Sequence, residues 1–180
     1  SLSNDLFTYK LLDLKSIKEI YDNIEIQSNE VNEIELGFRT KEIAKNFVKV
    51  TSRLSVIYRE DRTRYSMQLI ADILKRLSNE NKITKKDLYE LKESDVINII
   101  ENSKYNTIFN IWKNAKKVKI SKEEPKDVYY VHHGAKVRYI DPLFNGKRIS
   151  KCCRVANQLI ETNLAYDMNN YVYLDFNFDD

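Results

Sequence analysis

A chain of 180 residues with 42% hydrophobic and 32% charged residues has enough apolar material for an ordinary core, and fits one domain or one domain with a small appendage rather than a disordered segment. Its 30 basic and 27 acidic side chains leave a formal charge of +3, too balanced for a protein that binds nucleic acid through bulk charge, so any anion site must be local. Three glycines and two prolines favour long helices over a strand-rich sandwich, the neighbouring Cys152 and Cys153 build no disulfide framework, and no apolar run approaches the roughly 18 residues of a membrane span; the expectation is a cytoplasmic protein with no membrane partner.

The start, Ser-Leu without a methionine, reads as a piece cut from a longer protein, with a processed terminus as the alternative. After a short helical or strand-like segment, Ser16 three residues before Glu19 has the spacing of a capping box and predicts a helix from about Lys15 to about Asn23. The polar run Gln27 to Asn32 is a loop or helix break. Thr40 is placed to cap a helix from Lys41, which leads into the stretch Val50 to Leu77.

There Val50, Leu54, Ile57, Tyr58, Tyr65, Leu69, Ile73 and Leu77 recur mostly three or four apart, the period that lines one face of a helix. A break is expected near Arg59 to Arg62, because Asp61 and Thr63 suit a cap better than a helix interior. Beyond the turn at SNENK, Thr84 with Asp87 opens a short segment, Ser94 caps SDVINIIENS, and Ser103 to Lys116 is a further helix with Trp112 on its apolar face. From Lys116 the runs KKVKIS, DVYYV, AKVRYIDPLF and YVYLDFNF read as strands, and RISKCCRVANQLIETNLAYDM as one helix capped by Ser150. The fold class is therefore α+β: a helical N-terminal two-thirds, 1–115, with a small antiparallel sheet and one helix at the C-terminal end, 116–180, in one compact unit.

Little in this chain has the spacing of a catalytic site. On a strand His132 and His133 would point to opposite faces, so they cannot share one metal without a bulge. Cys152 and Cys153 stand at an expected helix start, a position that favours thiolate, but no third group in the sequence suggests redox or nucleophilic work, and the pairs Glu60-Asp61 and Asp179-Asp180 are adjacent in sequence with no further spacing that points to chemistry. What remains is basic and aromatic. Arg53, Arg62 and Arg64 stand with Tyr58 and Tyr65, and a second set, Lys116, Lys117, Lys119, Lys136, Arg138, Lys147 and Arg148, lies on or beside the expected strands. Arginine offers a planar fork of donors that fits phosphate oxygens, although a solvated basic face or an edge-protecting lysine row explains the same residues.

Two stretches carry a family resemblance. SRLSVIYREDRTR, Ser52 to Arg64, and KVRYIDPLF, Lys136 to Phe144, followed by NGKRIS and YVYLDF, resemble the region downstream of the catalytic core in HD-superfamily phosphohydrolases of the dGTP triphosphohydrolase-like type. The resemblance implies a C-terminal accessory domain of a metal-dependent (deoxy)nucleotide hydrolase. Such a domain packs on its own N-terminal HD domain, which holds the divalent metal, and shapes a nucleotide pocket or a homo-oligomer interface; no cofactor is expected in this chain and no catalysis from it alone. The phosphate or interface candidates are Arg53, Tyr58, Arg62, Arg64, Lys136 and Arg138.

Departures stand beside the matches. Glu60 and Asp61 occupy the place of the family's His-Lys pair, and the His, His-Asp and later Asp that hold the metal occur nowhere in these 180 residues. A second reading is a basic module that binds nucleotide or single-stranded nucleic acid, and a third is a protein-interaction domain, which a large exposed apolar patch would mark.

Overall fold

The computed structural model describes residues 2–178 and is α+β; the Asp179-Asp180 pair lies outside the described residues. Helices α1 (Leu2–Thr8) and α2 (Leu14–Asn23) lead into strands β1 (Ile24–Ser28) and β2 (Ile34–Phe38), then helices α3 (Lys41–Arg59) and α4 (Asp61–Asn79). Three short helices follow, α5 (Asp87–Glu90), α6 (Glu93–Glu101) and α7 (Asn106–Asn114), then β3 (Lys119–Ser121) and β4 (Tyr130–Val131). The chain ends with β5 (Leu143–Phe144), β6 (Lys147–Arg148), α8 (Ile149–Cys152), α9 (Arg154–Leu164) and β7 (Tyr171–Tyr173). Among the described residues no helix is long and apolar enough to cross a membrane.

Contacts divide the chain into two compact units, each discontinuous: Ser1–Arg59 with Lys136–Asp167, and Glu60–Ala135 with Met168–Asp180. Strands β1 and β2 precede Lys116 and helices α8 and α9 follow it, and both units hold helices and strands.

In the first unit α2 begins at Leu14, and its cap is Asp13 rather than Ser16. Asp13 has the extended backbone a cap requires, and its Oδ1 accepts from the Ser16 N–H at 2.8 Å, which lowers its carboxyl pKa. The run expected as a loop is the tip of a hairpin: β1 and β2 pair antiparallel with Ile26 opposite Leu36, and Asn29 Oδ1 accepts from the N–H groups of Val31 and Glu33, both at 2.9 Å, to close the turn. The alternation Ile-Glu-Ile-Gln-Ser and Ile-Glu-Leu-Gly-Phe sorts Ile24, Ile26, Ile34, Leu36 and Phe38 to one face.

The sheet continues β1-β2-β5-β6, with β2 and β5 parallel and β5 and β6 joined by Asn145 and Gly146, both at positive φ, as a two-residue hairpin turn requires. Gly37 sits where a Cβ would lie 2.6 Å from Gln27 Cδ and 2.8 Å from the Leu143 carbonyl oxygen. Gly37→Ala is therefore expected to push β2 from β5 and to cost about 1–3 kcal/mol in urea unfolding; an unchanged midpoint would show that the strands can part freely.

Helix α3 buries a narrow face of small residues, Ala44, Val48, Thr51 and Ser52, and packs on α9, whose Ala156 and Ile160 join the same core as Phe38 and Ile149. The single helix expected over RISKCC and beyond is two. Cys153 is extended at φ −137°, ψ 102°, and the cap on the first turn comes from Asp141, which accepts from the Ser150 N–H at 3.0 Å and hydroxyl at 2.5 Å. Tyr166 to Met168 lie outside the helix.

The expected break between Arg59 and Arg62 falls at Glu60, φ −56°, ψ 146°. In the second unit Tyr65, Leu69, Ile73 and Leu77 of α4 are fully buried with Ile100 of α6, Phe109 of α7, and Val131 and Val172 of an antiparallel sheet ordered β3-β7-β4. Thr84 and Asp87 form the expected reciprocal pair, whereas Lys92 with Asp95, not Ser94, starts α6. The helix expected from Ser103 to Lys116 is limited to Asn106–Asn114, and Trp112 donates its Nε1–H to Ser66 Oγ at 2.8 Å, a structural role.

Candidate functional site

Six residues were singled out by sequence, and the structure gives them different roles. Arg64 is buried: its guanidinium donates to the Asp61 carboxylate and the His133 carbonyl, while Asn170 donates to the other Asp61 oxygen at 3.0 Å. This is a structural network within the second unit. Arg62 is exposed and reaches the carbonyls of Ala115 and Lys116 at 3.5 and 3.3 Å, just past the C-terminus of α7, where a cation meets the helix dipole. Arg53 is exposed on α3. Lys136 and Arg138 are exposed on irregular chain before β5, not on a strand, and the Arg138 main-chain oxygen accepts from Ser55 Oγ at 2.6 Å and Asn163 Nδ2 at 3.2 Å.

Arg59, which was not among the candidates, is the buried arginine of the first unit. It donates Nε–H to the Ser55 carbonyl at 3.0 Å and Nη2–H to Asn163, tying the last turn of α3 to α9, and desolvation lowers its pKa. Its burial has no sequence signal beyond a four-residue spacing from Ser55.

The second basic set is spread over the strands of both sheets and the chain around them. Lys119 on β3 pairs with Asp175 at 2.6 Å, Arg148 on β6 pairs with Glu35 at 2.7 Å, and Lys116 and Lys117 precede β3. His132 and His133 follow β4: His132 stacks on Tyr171 at 3.8 Å and meets Asn169 at 2.9 Å, and His133 faces its neighbouring carbonyl. Cys153 is buried at the start of α9 and Cys152 is half-buried. Among the described residues no group of three or more His, Cys, Asp or Glu is gathered as a metal ion would need.

Two apolar surfaces of the first unit remain. Around α1 and α2, Phe7, Tyr9, Leu14 and Tyr21 are exposed, Leu14 at 68% and Tyr21 at 59%. A small apolar hollow of about 110 Å³ opens beside Tyr21 between α1 and α2, lined by Leu2, Leu6, Ile17, Ile20, Tyr21 and Phe47. Tyr58 belongs to this surface. Its ring meets Tyr9 edge-on at 6.1 Å, and desolvation, then its hydrogen bond to the Asp5 carboxylate, raises its hydroxyl pKa above the ordinary tyrosine range. It is a packing and hydrogen-bonding residue between α1 and α3.

The second surface is the hairpin face. Ile24 and Phe38 are covered, Phe38 by Phe47 of α3 at 5.1 Å, but the face beyond them is bare: Ile26, Ile34 and Leu36 expose 74%, 76% and 65% of their surface. Beside it, between β2 and the segment 139–142, lies a cavity of about 520 Å³ lined by Leu36, Phe47, Tyr139 and Ile140 and by the charged Glu35, Asp141 and Arg148. At its edge Arg148 is engaged by Glu35 and by the Asp141 carbonyl at 3.1 Å. The cavity is within the size range of ordinary binding pockets. It is built by the RYIDPL stretch, whose Asp141 and Pro142 serve the fold: Asp141 caps α8 and the Pro142 carbonyl accepts from the Ile149 N–H at 2.9 Å. Sequence reading missed Ile26, Ile34 and Leu36 as surface residues; the period-two alternation on either side of Gln27 to Asn32 was the signal. No protein-family model, curated protein or solved structure matches this chain.

Proposed function

We propose that this chain is an accessory, C-terminal domain of an HD-type (deoxy)nucleotide phosphohydrolase that binds its metal-bearing catalytic domain and takes no part in the bond-breaking step. The observation that carries the reading is the apolar surface on α1 and α2, where Phe7, Leu14 and Tyr21 stand exposed and Tyr21 borders a hollow that another domain's side chain would fill. A surface of that kind marks a protein interface. The resemblance of Ser52 to Arg64 and Lys136 to Phe144 supplies the identity of the partner domain. The buried Arg64 and the helix-capping Asp141 are consistent with a scaffold, because both are already engaged by protein groups. Arg53, Lys136 and Arg138, exposed in the same unit as α1 and α2, are the residues proposed to meet a bound phosphate or the catalytic domain.

The test begins with the gene. A His, a His-Asp pair and a later Asp should be encoded upstream of Ser3, and the domain bearing them should co-elute with this chain in size-exclusion chromatography. Leu14→Asp should abolish co-elution while leaving the circular dichroism of the chain unchanged, since Leu14 is exposed. The reading fails if no such domain is encoded, or if the purified chain with added manganese or magnesium releases phosphate or triphosphate from deoxynucleoside triphosphates.

A further inference from the structure

We infer that the bare hairpin face is the contact between two copies of this chain, packed sheet to sheet about a twofold axis. The inference concerns a different surface from the α1–α2 surface proposed above, and stands or falls separately.

Charge is the first argument for a second copy as the occupant. Residues 24–38 carry Glu25, Glu30, Glu33 and Glu35 and no lysine or arginine, yet none of these carboxylates belongs to the apolar row. Strand alternation turns Glu25 and Glu35 to the opposite face, where Arg39 lies 3.6 Å from Glu25 and Arg148 lies 2.7 Å from Glu35. Glu30 pairs with Lys151 and Glu33 accepts from Asn29 at 3.2 Å, both at the hairpin tip. A basic or acidic partner would find no counter-charge on the row, and the charged side chains lining the adjoining cavity, Glu35, Asp141 and Arg148, are engaged within the chain; two such rows brought together oppose no like charges.

Area is the second. Ile26, Val31, Ile34, Leu36, Tyr139 and Ile140 together expose on the order of 700 Å², close to the roughly 800 Å² that one partner contributes to a standard interface. Shape is the third. An isologous contact needs a patch that is its own complement. Here Ile26 pairs with Leu36 and Ser28 with Ile34, giving a low aliphatic row of the kind that packs across a gap of roughly 10 Å against another sheet. The adjoining 520 Å³ cavity gives a projecting side chain such as the partner copy's Ile34 or Val31 a place to enter.

Sedimentation velocity of the full chain from about 1 to 100 µM is the experiment. The wild type should sediment as a dimer in the upper part of that range, and Leu36→Glu should be a monomer throughout, with its dissociation constant raised at least 100-fold and its circular dichroism melt unchanged. Should Leu36→Glu lose its helical signal, the Ile26→Thr, Ile34→Thr pair gives the same reading with strand-compatible residues. Leu14→Asp should remain dimeric, which keeps this result apart from the interface on α2. A monomeric wild type at 100 µM overturns the inference, as does a Leu36→Glu dimer. So does a wild-type monomer in which Leu36→Glu instead abolishes co-elution with the catalytic domain.

Discussion

Arg64→Ala is expected to lower the unfolding free energy by about 3–5 kcal/mol, because removing one partner of a buried ion pair leaves the other uncompensated. The Arg64 side chain is 1% exposed and its Asp61 partner 19%, so water cannot replace the lost donors as it would at the surface. Asp61 would keep only the Asn170 amide, and the His133 carbonyl would lose its guanidinium donor. Lysine at this position should recover part of the loss at most, since an ammonium cannot reach carboxylate and carbonyl with one planar fork. Arg53→Ala, on an exposed position of α3, should stay within about 0.5 kcal/mol. Urea unfolding of the three variants separates a structural arginine from a ligand-facing one: a loss under about 1 kcal/mol for Arg64→Ala would return Arg64 to the list of phosphate candidates.

Leu69→Ala should cost about 3–5 kcal/mol, the transfer free energy of the lost atoms plus the cavity they leave. Leu69, Ile73 and Leu77 are wholly buried, and Ile100, Phe109, Val131 and Val172 belong to the same core, so few neighbours can shift to fill the gap. Val50→Ala, at a position of the same sequence stripe, should cost only about 1 kcal/mol, because Val50 is half-buried. The contrast is the point of the measurement. Equal losses at Val50 and Leu69 would mean that Val50 is packed as deeply as Leu69, contrary to its half-buried position.

Periodicity made the existence of α2, α3, α4, α6, α7 and α9 legible, since runs of this length with apolar residues three or four apart bury one face as helices. The pause at Glu60 followed from the poor helix-interior chemistry around it. Caps were less legible: Ser16, Ser94 and Ser150 have the right chemistry, but Asp13, Lys92 with Asp95, and Asp141 are the groups in place. A cap is decided by which residue adopts extended backbone, and that depends on where the preceding chain arrives. The hairpin Ile24 to Phe38 is legible in its alternation, but the polar run at its tip has the same composition as a loop or a break in a helix.

Of the candidate site, residue types were visible in the sequence and convergence was not. Arg53, Arg59, Arg62 and Arg64 are equivalent in composition, yet two are buried and two exposed, because their fate depends on carbonyls supplied from far along the chain, at Asn163 and His133. The sequence by itself determined the α+β class, the helical periods and the break between α3 and α4, all of which rest on neighbours a few residues apart. Only the tertiary structure decided that Tyr65, Leu69, Ile73 and Leu77 of the stripe join one core while Val50 stays half-buried, that Arg64 and Asp141 hold the fold, and that Ile26, Ile34 and Leu36 remain bare. Each of these depends on segments distant in sequence meeting, or failing to meet, in space.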